Sequence, residues 1–381
     1  MKSKVITILI GLMCCLCGCS MTMTPEERVA LLYGGQNQEE SIELEGVIHE
    51  PENNQATRLV VQMEAYDMEI LGNVLLNLTP DQVQEKKYSD TTLYTYYDER
   101  MVNPMDSCGI RSNLSRLIFN SIPDVDCYTN AIGLAGRSFG DEFSFDEVSY
   151  NSSYSDIILK TVFPNEELNG VSISQTQTIC EDILKKIGFE VSDIDGYVMD
   201  ADSLNKIQMD QWNRYQFAIP SPGYARDEKG KLIGELPQWD KDDEAFLILC
   251  TVSYNGIPIE GIDAQSRIEM YYSEEKGVFF LESVIPHLTN IIQEESIPML
   301  SGHEIVTMAI PILSNIGIDA QQITDVSVVY YYSAFNVDTQ NNCMTLQPSW
   351  KVTYCKEING KKLSDYILLD GTTGSLLTNE T

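Results

Sequence analysis

Gly136-Arg137-Ser138-Phe139-Gly140 spells G-x-S-x-G, the pattern that presents a serine nucleophile on a sharp turn between a strand and a helix. The residues that follow, Asp141 to Asp146 (DEFSFD), make a poor helix opening. A serine hydrolase acting through Ser138 is therefore the third and weakest reading. Only three histidines occur, His49, His287 and His303. None forms H-E-x-x-H, because His303-Glu304 runs into Ile305-Val306-Thr307. His303 reads as a first-turn, solvent-facing residue, so metal or imidazole-base chemistry is thinly supplied. Asp193-Ile194-Asp195-Gly196 starts like a calcium loop. Its glycine falls at the fourth position instead of the sixth, and Leu204 stands at the twelfth, where a glutamate belongs. It reads as a turn. The 57 carboxylates offer so many pairs that no glycosidase pair stands out. No glycine-rich phosphate loop is present. No catalytic residue, metal site or cofactor is assigned, and the chain reads as non-enzymatic.

The cysteine at position 19 points to other chemistry. Lys2 and Lys4 form a short positive segment, and Val5 to Leu16 is apolar and uncharged. That run is short for a membrane span, which needs about 20 residues, and fits the apolar region of a signal peptide. It ends in Leu16-Cys17-Gly18-Cys19, which resembles a bacterial lipobox. The resemblance implies cleavage after Gly18 and a diacylglyceryl thioether on Cys19, with acyl chains such as palmitate holding the mature protein on the outer face of the cell membrane. Buried acyl chains contribute about 0.8 kcal/mol per methylene, enough for two on one residue to anchor stably. A plain secretory signal cut near Gly18 and an uncleaved anchor are the competing readings.

The chain has 381 residues, with 57 acids against 25 bases and a net charge of −32. Removing residues 1–18 takes away two lysines and no acid, leaving 23 bases against 57 acids and a charge of −34. Counterion release needs Lys and Arg facing phosphate, so nucleic acid is excluded as a partner. Anionic head groups would repel this body, so membrane attachment runs through Cys19. With 43% hydrophobic residues, the chain is no disordered acidic tail. Of ten cysteines, six lie beyond the signal: Cys108, Cys127, Cys180, Cys250, Cys343 and Cys355. No C-x-x-C occurs among them. Six cysteines permit 15 disulfide connectivities. Cys108–Cys127 and Cys343–Cys355 are the candidate pairs close in sequence, whereas Cys180 and Cys250 read as buried small hydrophobes.

The elements that would position these residues can be read in turn. Thr24-Pro25-Glu26-Glu27 opens a short helix that stops at Gly34-Gly35, and residues 36–41 are a polar tether. A lipidated tether over 19–41 then leads to an N-terminal α+β domain over 42–168. In that domain Leu59–Ala65 and Thr92–Tyr97 are expected as strands, Ser112–Ser121 as a helix and Asp156–Phe163 as a closing strand. Beyond it lies an internal repeat. Ser172-x-x-Gln175 and Ser301-x-x-Glu304 are capping boxes 129 residues apart. At the same displacement, Ile183-Leu184-Lys185-Lys186-Ile187-Gly188 recurs as Ile312-Leu313-Ser314-Asn315-Ile316-Gly317. Each copy predicts a helix of about four turns ending at glycine. Strands follow. In the first copy these are Ala245–Tyr254, Ile268–Tyr272 and Gly277–Ile285, and in the second Ser349–Ile358, Asp365–Leu369 and Gly374–Leu377. Asn255-Gly256 and Asn359-Gly360 are hairpin turns. The modules are placed at 169–300, with an inserted loop at 212–243, and at 301–381.

The run Leu346-x-Pro348-x-Trp350-x-Val352, followed by Tyr366 to Gly374 (YILLDGTTG), resembles the PepSY superfamily, as does Tyr254-Asn255-Gly256-Ile257-Pro258-Ile259. The chain is also similar to the two-module extracytoplasmic regulators of a Gram-positive cell-wall sensor kinase. The resemblance covers roughly residues 170–381. It departs where Gly371 replaces the usual alanine. It implies an α+β fold, with each module a helix packed on an antiparallel sheet, acting on proteases or kinases by contact. Trp350 and Asp370 read as a core aromatic and a turn former. Trp212, Tyr215, Tyr224 and Trp239 in the inserted loop are candidate partner-binding residues, or else they pack the loop onto its own module. The leading function is a lipid-anchored protein that regulates or scaffolds a cell-envelope partner by contact. The alternative is a lipoprotein that binds a small molecule or wall fragment.

Overall fold

Ala245–Tyr254 (AFLILCTVSY) is apolar on both sides of its alternation, and nine of its ten residues are buried. A strand of that kind needs cover on both faces, and the fold is built around supplying it. The computed structural model describes residues 46–51, 54–76, 84–87, 92–95, 109–114, 116–122, 128, 156–214, 225–226, 232–233, 238–261, 266–358 and 361–377. These fall within one compact body, Leu44–Thr381.

The main elements, in chain order, are strands β1 (Gln55–Glu64) and β2 (Leu117–Asn120), then helix α1 (Asp156–Val162). The first repeat follows: α2 (Ile173–Lys186), β3 (Glu190–Met199), α3 (Ala201–Arg214), β4 (Ala245–Tyr254), β5 (Ile257–Glu260), β6 (Arg267–Ser273) and β7 (Gly277–Ser283). Strand β8 (His287–Pro298) crosses to the second repeat, made of α4 (Gly302–Ser314), β9 (Ile323–Tyr331), β10 (Cys343–Ile358) and β11 (Lys361–Asp370). The architecture is mixed α+β, with far more strand than helix among the described residues.

Both repeats are put together the same way. Ser172 and Ser301 each accept the backbone N–H three residues on, while Gln175 and Glu304 reach back to the cap N–H. Each helix ends in the same wrap. Phe189 N–H donates to Leu184 O, and Ile318 N–H to Leu313 O, both at 3.0 Å, across glycines with positive φ. The strand after each helix runs antiparallel to a long strand, β3 with β4 and β9 with β10. That strand pairs on its other side with β6 or β11. In the first copy β7 extends the sheet. In the second, the expected strand at 374–377 is reduced to one bridge, Leu369 to Leu376. Asn255 and Gly256 take φ of 51° and 76°, the left-handed pair that a type I′ hairpin requires. Asn359-Gly360 lies outside the described residues, although Ile358 and Lys361 pair beside it.

One hydrogen-bonded path runs β8-β1-β10-β9-β5-β4-β6-β7-β2 and on through 109–112, 92–95 and 84–87. Strand β5 is the splice: after the Asn255-Gly256 turn it leaves β4 and pairs in parallel with β9. Among the described residues, the region 42–168 therefore forms no separate main sheet. Strand β1 pairs with β8 and β10, β2 with β7, and Val47–Ile48 with β9. Its described strands between Val47 and Asn120 extend the sheets of the repeats.

Two local expectations are corrected. Ser112–Ser121 contains strand β2 instead of a helix. Leu117 and Phe119 are buried and the residues after each are less so, a period of two set by pairing with Ser283 and Leu281 on β7. Asp156–Phe163 holds helix α1 instead of a strand, with Leu159, Val162 and Phe163 buried at i, i+3, i+4. Strands appear at Gln55–Glu64 and Thr92–Thr95, close to where they were expected.

The faces of the first sheet explain the insertion. On one side α2 brings Cys180, Leu184 and Ile187 against Phe246, Ile248, Cys250 and Met270. On the other, Leu204 and Ile207 of α3, with Leu159, Val162 and Phe163, cover Leu247, Leu249, Tyr271 and Phe279. Each such side chain contributes about 1.5–3 kcal/mol on burial. The segment expected as a loop from Trp212 thus begins inside helix α3. The second repeat has no such insertion. Its sheet buries Trp350, Val352 and Tyr354 on one side, and on the other carries half-buried Ser327, Lys351, Thr353 and Tyr366.

Candidate functional site

The polar chemistry of the body gathers where the two repeats and the β1–β8 arm meet. Arg267 opens β6 opposite Thr251, and its guanidinium pairs with Asp195 at 2.5 Å. Burial works against that charge, but the Asp195 carboxylate, its hydrogen bond and Glu260 outweigh it and hold the guanidinium above its ordinary value. Glu260, at the end of β5, is 5% exposed and pairs with Lys351 of β10. The Lys351 ammonium also stands 4.5 Å from the centroid of the Tyr366 ring, whose hydroxyl donates to Gly261 O at 2.8 Å. This row crosses the β5–β9 splice. Its Glu260–Lys351 pair ties one repeat to the other, because an unpaired Glu260 would be a buried charge.

A second cluster holds the crossover between β7 and β8. Three tyrosine hydroxyls donate to carbonyls of the crossover and of the start of β8. Tyr332 reaches Val284 O at 3.1 Å, Tyr66 reaches Ile285 O at 2.9 Å and Tyr254 reaches Thr289 O at 3.0 Å. Tyr332 follows β9, Tyr254 ends β4, and Tyr66 follows β1, so every body at the junction contributes one clamp. His287 lies among them, its ring stacked on Tyr66 with centroids 5.4 Å apart and planes at 22°. Burial raises the phenol of Tyr66 and lowers the imidazole of His287 from their ordinary values.

The residues singled out in the sequence fall elsewhere. Cys19, Cys108, Cys127, Ser138, Tyr215 and Tyr224 lie outside the described residues, and of Trp212 only its helical backbone is described. Trp239 packs on Tyr128, with ring centroids 4.9 Å apart. Its backbone N–H and carbonyl both bond the side chain of Asn205, at 2.9 and 2.8 Å. Its ring thus helps close the second face of the first sheet. Cys343 and Cys355 are free. They stand twelve residues apart on the continuous strand β10, and at about 3.3 Å per residue they are far beyond the reach of a disulfide. Cys180 and Cys250 are free and fully buried; burial pushes the Cys180 thiol up to about 12 and raises Cys250 as well.

Asp193-Ile194-Asp195-Gly196 is not a turn but the middle of β3. Asp195 belongs to the Arg267 pair, and Gly196 gives way to the helix, since a Cβ there would meet Ile173 Cγ2 at 2.5 Å. Trp350 is fully buried with its indole N–H donating to Leu300 O at 3.1 Å. Asp370 Oδ1 accepts from the backbone N–H and hydroxyl of both Thr372 and Thr373. Gly371 explains its departure from alanine: a Cβ would stand 2.7 Å from both Met299 Cε and Pro348 O. His303 is exposed on the first turn of α4. Sequence reading missed Arg267, Glu260, Lys351 and the three clamping tyrosines. No local spacing links residues up to 266 positions apart, although the acid closing the apolar run Ile257-Pro258-Ile259-Glu260 was a signal.

No family model matches the chain, and a search of curated proteins finds no match. Among solved structures, the YpeB C-terminal domain of Bacillus megaterium aligns over 81% of this chain and 92% of its own, with 9% identity and a TM-score of 0.37.

Proposed function

We propose that this chain is a lipid-anchored extracytoplasmic protein that regulates or scaffolds a cell-envelope partner through protein contact, without catalysis of its own. Cys19 is the anchor in this reading, and the two helix-on-sheet repeats are PepSY-like modules. The observation that supports it best is the junction itself. Arg267, Asp195, Glu260, Lys351 and the clamping tyrosines bond one another and the backbone. Charged groups committed in this way hold a shape; they are not poised to act on a substrate. A strongly acidic body held by a lipid anchor suits recognition of a protein partner that is not itself strongly anionic.

Mass spectrometry of the membrane fraction tests the anchor. A diacylglyceryl group on Cys19 is expected, and Cys19→Ala should release the protein or block its processing. An unmodified, soluble mature chain would contradict this reading.

A further inference from the structure

The imidazole of His287 is held in an unusual setting. Its Nδ1 is buried and has no hydrogen-bond partner. One face of the ring stacks on Tyr66, and its Nε2 edge lies against Gly188, where a Cβ would stand 2.7 Å away. Gly188, at φ +99°, ends α2, and Phe189 beside it packs on Tyr66 with centroids 5.8 Å apart. His287 is also the first residue of β8, directly across from Glu64 on β1. The ring therefore fills the contact between the end of the first repeat's helix and the β1–β8 arm.

We propose that His287 is an acid-sensitive latch between the arm and the first repeat. A neutral imidazole can leave one nitrogen as a bare acceptor at modest cost. Protonation turns Nδ1 into a charged donor, and an unpaired buried charge is far more costly than an unpaired neutral acceptor. The groups packed around it give little relief. The Tyr66 hydroxyl is committed to Ile285 O, and Ser283 Oγ is engaged with Ile285. Gly188 and Phe189 bring no charge, and Lys185 on the last turn of α2 is paired with Glu181. Glu64 alone favours the proton, and burial outweighs it, holding the imidazole below its ordinary value. Once charged, the ring gains by leaving Tyr66 for solvent and the Glu64 side, which uncouples the arm from Gly188 and Phe189. The arm stays on the second repeat, because β1 still pairs with Cys343–Leu346.

The test is amide hydrogen exchange on the full chain at about pH 7.5 and about pH 5.5, corrected for intrinsic rates, since an ordinary imidazole titrates between them. Wild type should lose on the order of tenfold of its protection at 185–189 and 287–291 on acidification, as the proton taken up by His287 favours the open form. Protection in β10 and β11 should change little. His287→Phe, which can keep the stack, should hold its protection at both pH values. His287→Gln, which also cannot titrate, replaces it should the phenylalanine variant fail to fold. An equal loss in the non-titrating variant, or no loss in wild type, would overturn the latch.

Discussion

Single residues divide into those that hold the core and those that set its response to pH. Trp350 fills the second repeat and satisfies its one N–H on Leu300. Trp350→Ala should therefore lose about 3–5 kcal/mol, read by urea denaturation. A loss within the range of surface substitutions would contradict its core role. Cys180 and Cys250, buried with raised thiols, should resist a thiol reagent in the folded protein, while half-buried Cys343 and Cys355 label first. Peptide mass spectrometry after brief labelling checks the order. Asp365 is held above its ordinary value by burial, against hydrogen bonds from Tyr366 N–H and the Tyr354 hydroxyl. A carboxyl whose folded pKa is raised favours the fold while protonated, and that stability is lost as pH rises through the folded value. Asp365→Asn should thus gain stability relative to wild type between about pH 4 and pH 7; a pH-independent difference would refute the assignment. Trp350, Asp370, Cys180 and Cys250 were legible from the sequence because an apolar run or a turn dictates their setting locally. Arg267 and Glu260 were not, because their partners arrive from distant strands.

At the scale of elements, legibility followed locality. Both capping boxes, both helices, the terminal glycines and the Asn255-Gly256 hairpin were readable, since each is decided within a few residues. Ser172→Ala and Ser301→Ala should each lose about 1 kcal/mol in thermal or urea unfolding. The Ser301 variant keeps a second ligand at its helix start, because the Glu50 carboxylate accepts from Gly302 N–H at 2.9 and 3.0 Å. Segments 112–121 and 156–163 were assigned the wrong way round for a physical reason. Leu114, Leu117 and Ile118 fit a helical stripe, yet the edge of β7 offers backbone partners, and pairing selects the period of two. Residues 156–163 are apolar enough for a strand, but their burial every third and fourth residue serves the second face of the first sheet. The insertion after β3 was legible as an insertion, while its structural task, covering that face, was not.

The whole molecule is less modular than its sequence. The repeat is visible in the sequence, but the pairing of β1, β5 and Val47–Ile48 with strands of the second repeat is not. A fragment of residues 301–381 alone is expected to be unfolded by circular dichroism, since it loses these partners of β9 and β10 and exposes their edges. Residues 44–381 should instead unfold as one cooperative transition. A rigid acidic body joined to a membrane through Cys19 is the core of the functional reading, and contact with an envelope protein is its central claim. Crosslinking mass spectrometry on intact cells tests that claim most directly. Crosslinks from the 44–381 body to a defined cell-envelope protein are expected, lost when Cys19→Ala releases the chain; crosslinks confined to the chain itself would contradict contact with a partner.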